Sequence, residues 1–220
     1  MPGETEFVMK RYGKRPIELG RDIGILTPQT IAFHCVYLTD SDIDIMVETG
    51  TKMSHTSFHT PKRGYFPPME KVYAKGVDVS LGSDWCSNDL WKFMRAAIEI
   101  PRVQSGDVGI VSGYDALRLA TVGGARALGM ESEIGTLEVG KKADIILLDV
   151  MTPWCNPIRR QQLITNIVFN ANGSDVTDVF VDGHAVVTDR QLKTVDMHDM
   201  LRETQKRADR IWSKVGKDWD

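Results

Sequence analysis

Three predicted strands of the sequence end on side chains that can bind a metal ion or accept a proton. His34 lies in "IAFHC", His55 ends "KMSH", and Asp84 follows "VSLGS". In parallel α/β folds the carboxyl ends of the strands form one rim, and functional residues collect there. Imidazole and carboxylate are usual ligands of zinc, and a carboxylate beside a metal-bound water can act as a general base. The three strand ends therefore predict one pocket with metal or acid–base chemistry.

Each of these side chains also has a structural interpretation. His34 alone fits a hydrogen-bonded core histidine, and "HTSFH" fits an ordinary loop. An aspartate after Gly-Ser commonly caps a helix. Here Asn88 or Asp89 can cap the helix that follows, which leaves Asp84 for another role. Because such groups occur at three strand ends together, we favour the functional interpretation.

Strands alternate with helices over the first hundred residues. Strands are predicted at 30–38, 51–55 and 77–82, and the helical patterns between them begin at caps or prolines and end at glycines. This order predicts right-handed βαβ units and a parallel sheet. Two helices before residue 23 and further helix over 113–128 complete this part.

The pattern changes after residue 134. A strong strand is predicted over 143–150, and "VTDVFVDGHAVV" predicts a β-hairpin that turns at Asp182-Gly183. An amphipathic helix from Met197 to about Val215 closes the sequence. These elements predict a small antiparallel β unit with a terminal helix.

Composition argues against two classes of partner. The chain has 220 residues, of which 42% are hydrophobic, and a net charge of −3, so electrostatics favour neither nucleic acid nor a membrane surface. The sequence contains no apolar run of the roughly 18 residues that a membrane span needs, and "MPGETEFVMKRYGKR" is unlike a signal peptide. Cys35, Cys86 and Cys155 are too few and scattered for a disulfide framework, so we expect reduced thiols in a cytoplasmic protein.

Three segments carry a resemblance to a known family: "FHCVYLTDSDI", "GYFPPMEKVYAKGVDVSLGSDWCSND" and "ATVGGARALGMESEIGTLEVGKKADIILLD". They resemble the metal-dependent amidohydrolase superfamily, most closely the chlorohydrolases and aminohydrolases that act on triazines, adenosine-type nucleosides and related N-heterocycles. The resemblance implies an α/β fold with the C-terminal part of a (β/α)8 TIM-type barrel at 1–134, about strands six to eight. It implies a β-sandwich segment with a C-terminal helix at 135–220.

The resemblance also implies roles for individual residues. Asp84 resembles the eighth-strand aspartate, which is a metal ligand and the proton shuttle for the attacking water. His34 resembles the sixth-strand histidine that polarises the bond under attack, and Glu4 resembles the glutamate that binds the heterocycle. The implied cofactor is one divalent metal, Zn²⁺ or Fe²⁺, with an incomplete site in this chain. The other residues expected to contact substrate are His55, His59 and Trp85.

The chain departs from the family pattern in three places. The family's first-strand His-x-His does not occur in this sequence, and its fifth-strand histidine falls at Met1. The family's "N-P-x-S-N" is "TSFHT" here, which offers His59 as a replacement contact. We therefore expect a C-terminal fragment without the first five barrel strands and the N-terminal sandwich strands.

Three interpretations of function stay open. The first is a hydrolase that cleaves a C–N or C–Cl bond of a small N-heterocycle or related non-peptide substrate, with Asp84 as proton shuttle. The second is a catalytically silent fragment that binds a partner, such as another copy, through its open barrel edge. In the third, His34, His55, His59 and Asp84 form a metal site of their own. We expect a homo-oligomer.

Overall fold

The computed structural model describes residues 2–85 and 87–215, so Met1 and Cys86 lie outside the described residues. The described chain divides into two compact units. The residues up to Lys141, together with Val150–Asp175, form the first unit. Lys142–Asp149 and the residues from Val176 onwards form the second.

This division differs from the single boundary expected after residue 134. The segment before Lys142 belongs to the first unit because Lys141 Nζ donates to the carbonyl of Glu131 at 2.7 Å. Val150–Asp175 returns to that unit because its helix packs on the helices that precede it. Trp91 Nε1 donates to the carbonyl of Ile167 at 3.0 Å.

The first unit contains a short parallel sheet among helices. Its strands are β1 (Ile31–Phe33), β2 (Lys52–His55) and β3 (Val79–Leu81), in the order β1-β2-β3. Both pairs are parallel, as the alternation of strands and helices predicts. The α-helices are α1 (Pro2–Tyr12), α2 (Pro16–Asp22), α3 (Asp40–Thr49), α4 (Met69–Ala74), α5 (Leu90–Ser105), α6 (Gly113–Ala120), α7 (Val122–Leu128) and α8 (Leu163–Asn170).

Strand β1 is much shorter than the predicted strand at 30–38. His34 and Cys35 have φ values of +63° and +52°, so the backbone leaves the extended conformation directly after Phe33. The apolar run continues, but its residues pack in a turn. The prediction of a strand through residue 38 was wrong because apolar composition does not reveal a left-handed backbone.

The core of this unit lies between the sheet and its helices. Helix α3 begins at a capping box in which Thr39 and Asp42 exchange hydrogen bonds, and it ends at Gly50. Its buried face carries Ile43 and Met46. These side chains pack with buried residues of β2, α4, β3 and the connection before β3: Met53, Met69, Val72, Val77 and Val79.

Helix α7 approaches β3 closely through Gly123. A Cβ at this position would lie 2.8 Å from the carbonyl oxygen of Val79, which is backbone and has little room to move. At the adjacent Gly124 a Cβ would meet nothing within 4 Å. The fold therefore requires glycine at the first position only.

We expect Gly123→Ala to lower the free energy of unfolding by about 1–3 kcal/mol, the usual cost of overpacking. Gly124→Ala is the matched control and should raise it by up to about 1 kcal/mol, because alanine favours helix over glycine. Urea denaturation of both variants measures the difference. Equal effects would contradict the close approach.

The second unit is an antiparallel sheet with one helix. Its strands are β4 (Ile145–Leu148), β5 (Val176–Val181), β6 (His184–Thr188) and β7 (Gln191–Leu192), in the order β4-β5-β6-β7. The tight turn between β5 and β6 has positive φ at Asp182 and Gly183, as a type I′ hairpin requires. Helix α9 (Met197–Val215) follows. Among the described helices, none is long and apolar enough to cross a membrane.

Candidate active site

The carboxyl ends of β1 and β3 carry the two residues predicted to be catalytic. His34 directly follows β1, and its backbone N–H donates to the carbonyl of Ser54 at 3.3 Å. Asp84 follows β3 by three residues with a φ of +51°. Left-handed backbone at non-glycine residues is uncommon, although histidine and aspartate tolerate it better than most residue types. Both strands thus end in a strained turn that presents an ionisable side chain.

Asp84 lies between two imidazole rings. Its Oδ2 atom is 3.3 Å from His59 Nε2 and 3.7 Å from His34 Nε2. Its Oδ1 atom accepts a hydrogen bond from the backbone N–H of Trp85 at 2.7 Å. The two ring centroids are 5.9 Å apart. We call His34, His59 and Asp84 the Asp84 cluster; it places one carboxylate oxygen within ion-pair distance of two imidazole nitrogens.

Thr56 orients the His34 ring. Its hydroxyl lies 2.8 Å from His34 Nδ1, so the opposite ring nitrogen, Nε2, is the one nearest Asp84. No pattern in the sequence identifies Thr56 as a site residue. The segment "TSFHT" stands where the family has its asparagine-proline motif. Within this segment, the histidine is the residue type that suggests chemistry, and Thr56 is not.

Gly82 permits the close approach of β3 to β2 beside the cluster. A Cβ on this glycine would lie 2.4 Å from Ser54 Oγ, well inside van der Waals contact. Any larger residue at this position would have to displace the Ser54 hydroxyl, and the carboxylate of Asp84 follows two residues later. The sequence shows the glycine, but only the structure shows which side chain it contacts.

The structure does not bring His55 into the cluster. This residue is completely buried, and its ring contacts Phe66 edge-on with centroids 5.2 Å apart. Within the described residues neither of its ring nitrogens has a hydrogen-bond partner. Burial lowers the pKa of His55 from 6.5 to about 3, so the ring is neutral at physiological pH.

The buried His55 should make stability depend on pH. Because its pKa is about 3 in the folded chain and 6.5 otherwise, the unfolded chain binds an extra proton between these values. Stability is therefore lost as pH falls below 6.5, at up to about 1.4 kcal/mol per pH unit.

We expect His55→Leu to remove this contribution, so that its free energy of unfolding falls less between pH 6.5 and pH 5 than that of the wild type. Urea denaturation at several pH values measures both slopes. The exposed His184→Gln is the control and should follow the wild type. Parallel slopes for His55→Leu and the wild type would contradict the buried neutral ring.

A cavity of about 480 Å³ opens beside the cluster. His34 and His59 both line it, and Glu4 lines it from helix α1, so the structure brings three predicted site residues to one cavity. Trp85 lies differently: its ring contacts that of His59 at 5.4 Å, and 74% of the residue is exposed. Further lining comes from Tyr37, Tyr65 and Arg63.

The described residues do not form a metal site by themselves. In the stretches 2–85 and 87–215, no three His, Cys, Asp or Glu side chains are arranged to hold a metal ion. The interpretation in which His34, His55, His59 and Asp84 form their own metal site is therefore not supported. Asp84 offers a carboxylate of the correct chemistry for one ligand position, and further donors are needed.

Residues 2–186 match the amidohydrolase family. The chain belongs to this family. The resemblance found in the sequence is thus confirmed over most of the chain. Within the amidohydrolases, the chain is 39% identical over 213 residues to a 5-methylthioadenosine/S-adenosylhomocysteine deaminase from Caldanaerobacter subterraneus, covering 94% of this chain and 49% of that protein.

Another relative and a solved structure show a similar extent of matching. A 5′-deoxyadenosine deaminase from Methanosarcina mazei is 34% identical, with 94% of this chain and 48% of that protein covered. The crystal structure of an adenosine deaminase from Xanthomonas campestris with bound zinc superposes with a TM-score of 0.90 at 28% identity, covering 96% of this chain and 49% of that one. The chain spans about half the length of the curated relatives it matches.

More distant amidohydrolases share the fold. An atrazine chlorohydrolase mutant from Arthrobacter aurescens, complexed with zinc and atraton, has a TM-score of 0.82 at 20% identity, covering 94% of this chain and 46% of that one. The mixed α/β fold of this chain is therefore that of its amidohydrolase neighbours.

Proposed function

We propose that this chain is part of a metal-dependent amidohydrolase that deaminates an adenosine-type nucleoside in the cytoplasm. The observation that carries the proposal is the Asp84 cluster, a carboxylate held between two imidazoles beside a cavity of about 480 Å³. The names of the relatives, 5-methylthioadenosine/S-adenosylhomocysteine deaminase and 5′-deoxyadenosine deaminase, support a nucleoside substrate and C–N hydrolysis.

The chain's own residues supply the proton transfers of this reaction. Asp84 accepts a proton from the water that attacks the ring carbon, and it returns that proton to the amino nitrogen. The C–N bond then breaks, and ammonia leaves. His34, held by Thr56 with Nε2 towards Asp84, stabilises the charge that develops on the ring. Glu4 faces the same cavity, where its carboxylate can accept a hydrogen bond from an N–H group of the heterocycle.

A divalent metal would complete this site. Zinc is the metal that neighbouring structures contain, and iron accepts the same ligands. Asp84 would provide one ligand, and the remaining ligands would lie outside the described residues. Such a metal lowers the pKa of a bound water towards neutrality.

We further propose where the chain belongs in the family fold. Strands β1, β2 and β3 would be strands six, seven and eight of a (β/α)8 barrel, within 1–134. The antiparallel sheet β4–β7 and helix α9 would be part of the β-sandwich segment, within 135–220. The parallel order β1-β2-β3 and the antiparallel order β4-β5-β6-β7 support this assignment.

One observation favours a second candidate, a silent fragment that self-associates. Within the described chain, β1 is an edge strand, and 65% of the surface of its last residue, Phe33, is exposed. An open apolar edge is a template for pairing with another copy. The expected homo-oligomer rests on this edge.

The test is ammonia release from adenosine by the whole protein that contains this chain, supplied with Zn²⁺, together with the mass of the 220-residue chain by light scattering. Turnover that disappears on chelation of the metal supports the deaminase. A self-associated protein without turnover favours the second candidate, and a monomer without turnover contradicts both.

A further inference from the structure

Arg63 is an unpaired cation on the wall of the cavity beside the Asp84 cluster. It lines this cavity together with His34 and His59. Across residues 2–85 and 87–215, its side chain makes no hydrogen bond, ion pair or ring contact. A guanidinium carries five N–H donors in a planar fork, so most of the binding capacity of Arg63 is unused.

Two other cations, one on the same cavity wall and one next to Arg63 in the chain, are already engaged. Arg15 also lines the cavity, but its Nε atom pairs with Asp42 Oδ2 at 2.7 Å. Lys62, next to Arg63 in the chain, lies with Nζ over the Phe58 ring at 4.2 Å from the centroid. Both side chains are therefore engaged by protein groups, whereas the guanidinium of Arg63 is open to a ligand.

A short ordered element holds Arg63 beside the cluster. It is the last residue of a 3₁₀ helix, Thr60–Arg63, which begins directly after His59. Gly64 ends this helix with a φ of +76°, and the backbone N–H of Tyr65 returns to the carbonyl of Thr60 at 3.3 Å. Only this 3₁₀ helix separates Arg63 from His59, so a molecule that contacts His59 in the cavity is within reach of Arg63.

The rest of the wall suits an aromatic ring. The rings of Tyr37 and Tyr65 meet edge to face with centroids 5.8 Å apart, and both line the cavity. Flat aromatic side chains of this kind favour heterocyclic ligands. The cavity thus combines a reacting centre, an aromatic wall and a free guanidinium.

We propose that Arg63 binds an anionic group on the substrate, a carboxylate or a phosphate, remote from the bond that is cleaved. This inference rests on the proposed function, because it concerns the same cavity. A guanidinium binds either anion through two parallel hydrogen bonds, which makes Arg63 a residue that determines substrate specificity. The substrate class is then a nucleoside that carries a negative charge on its sugar side chain.

Calorimetric binding of three ligands tests the proposal: adenosine, adenosine 5′-carboxylate and adenosine 5′-monophosphate. The wild type should bind at least one anionic ligand more tightly than adenosine. Arg63→Met should weaken binding of that ligand about tenfold, the effect of losing a charge-assisted hydrogen bond, and should leave adenosine binding unchanged. The ligand with the larger loss identifies the anion.

Lys62→Met is the matched control, because it removes an adjacent positive charge that is engaged with Phe58. It should change none of the three affinities, while Arg63→Lys should keep part of the preference. Equal losses for neutral and anionic ligands, or no loss in Arg63→Met, would overturn the role of Arg63 and leave the proposed function standing. No binding of any ligand to the wild type would overturn both.

Discussion

Replacing Asp84 with asparagine is expected to lower ammonia release by about 10²–10⁴-fold, the usual contribution of a general acid–base group. The amide cannot accept the proton of the attacking water. The fold should be unaffected, because asparagine also tolerates the left-handed backbone at φ +51°. Its side-chain oxygen can still accept the hydrogen bond from the N–H of Trp85. Turnover of adenosine and the thermal midpoint should be measured on the same preparation.

Asp89→Asn is the control for that experiment. Asp89 is in the same connection between β3 and α5, and its Oδ1 atom caps α5 by accepting from the N–H of Trp91 at 3.2 Å. Asparagine caps helices as well as aspartate does, so both turnover and stability should stay near wild type. Equal loss of turnover in the two variants would remove Asp84 from its proposed role.

Replacing Arg15 with methionine is expected to cost about 3–5 kcal/mol of unfolding free energy, the effect of leaving a buried charge without its partner. Asp42 is only 1% exposed and receives the Nε–H of Arg15 at 2.7 Å. The guanidinium also donates to the carbonyl of Tyr37 in the turn after β1. One side chain therefore connects α2, α3 and that turn. Chemical denaturation measures the loss.

Two comparisons identify the cause of this loss. Arg21→Met removes an exposed pair with Asp22 on the same helix, and it should cost no more than about 1 kcal/mol. The double change Arg15→Met with Asp42→Asn removes the buried charge as well, and it should recover part of the stability. If the double variant is less stable than Arg15→Met alone, an uncompensated carboxylate is not the cause.

Much of the framework follows from local signals in the sequence. The parallel sheet was predictable because strands alternate with helices of about ten residues. The bounds of α3 follow from the capping Thr39 and from Gly50. Helix α8 was not predicted, because "LITNIVFN" is rich in residues that favour strands. Its helical form depends on tertiary contacts such as the hydrogen bond from Trp91 to Ile167.

The positions of some site residues, but not of others, could likewise be predicted from the sequence. His34 and Asp84 lie near each other because parallel strands end on one rim, which the order of elements predicts. His55 lies elsewhere because side chains along a strand alternate between faces. Met53, two residues before it, belongs to the core, so His55 points to the core too. Thr56 and Arg63 could not be identified, because sequence spacing does not show which residues of a loop lie next to the site.

The left-handed residues at the strand ends set a limit on improving this protein by selection. Glycine at His34, Cys35 or Asp84 would relax the backbone, since it adopts positive φ at little cost. A library selected only for survival at high temperature should therefore accumulate glycine or asparagine at His34 and Asp84. Each such gain removes a group of the proposed reaction. Gains in thermal tolerance at these positions should thus cost turnover. Variants selected for both properties should carry their stabilising substitutions elsewhere in the chain.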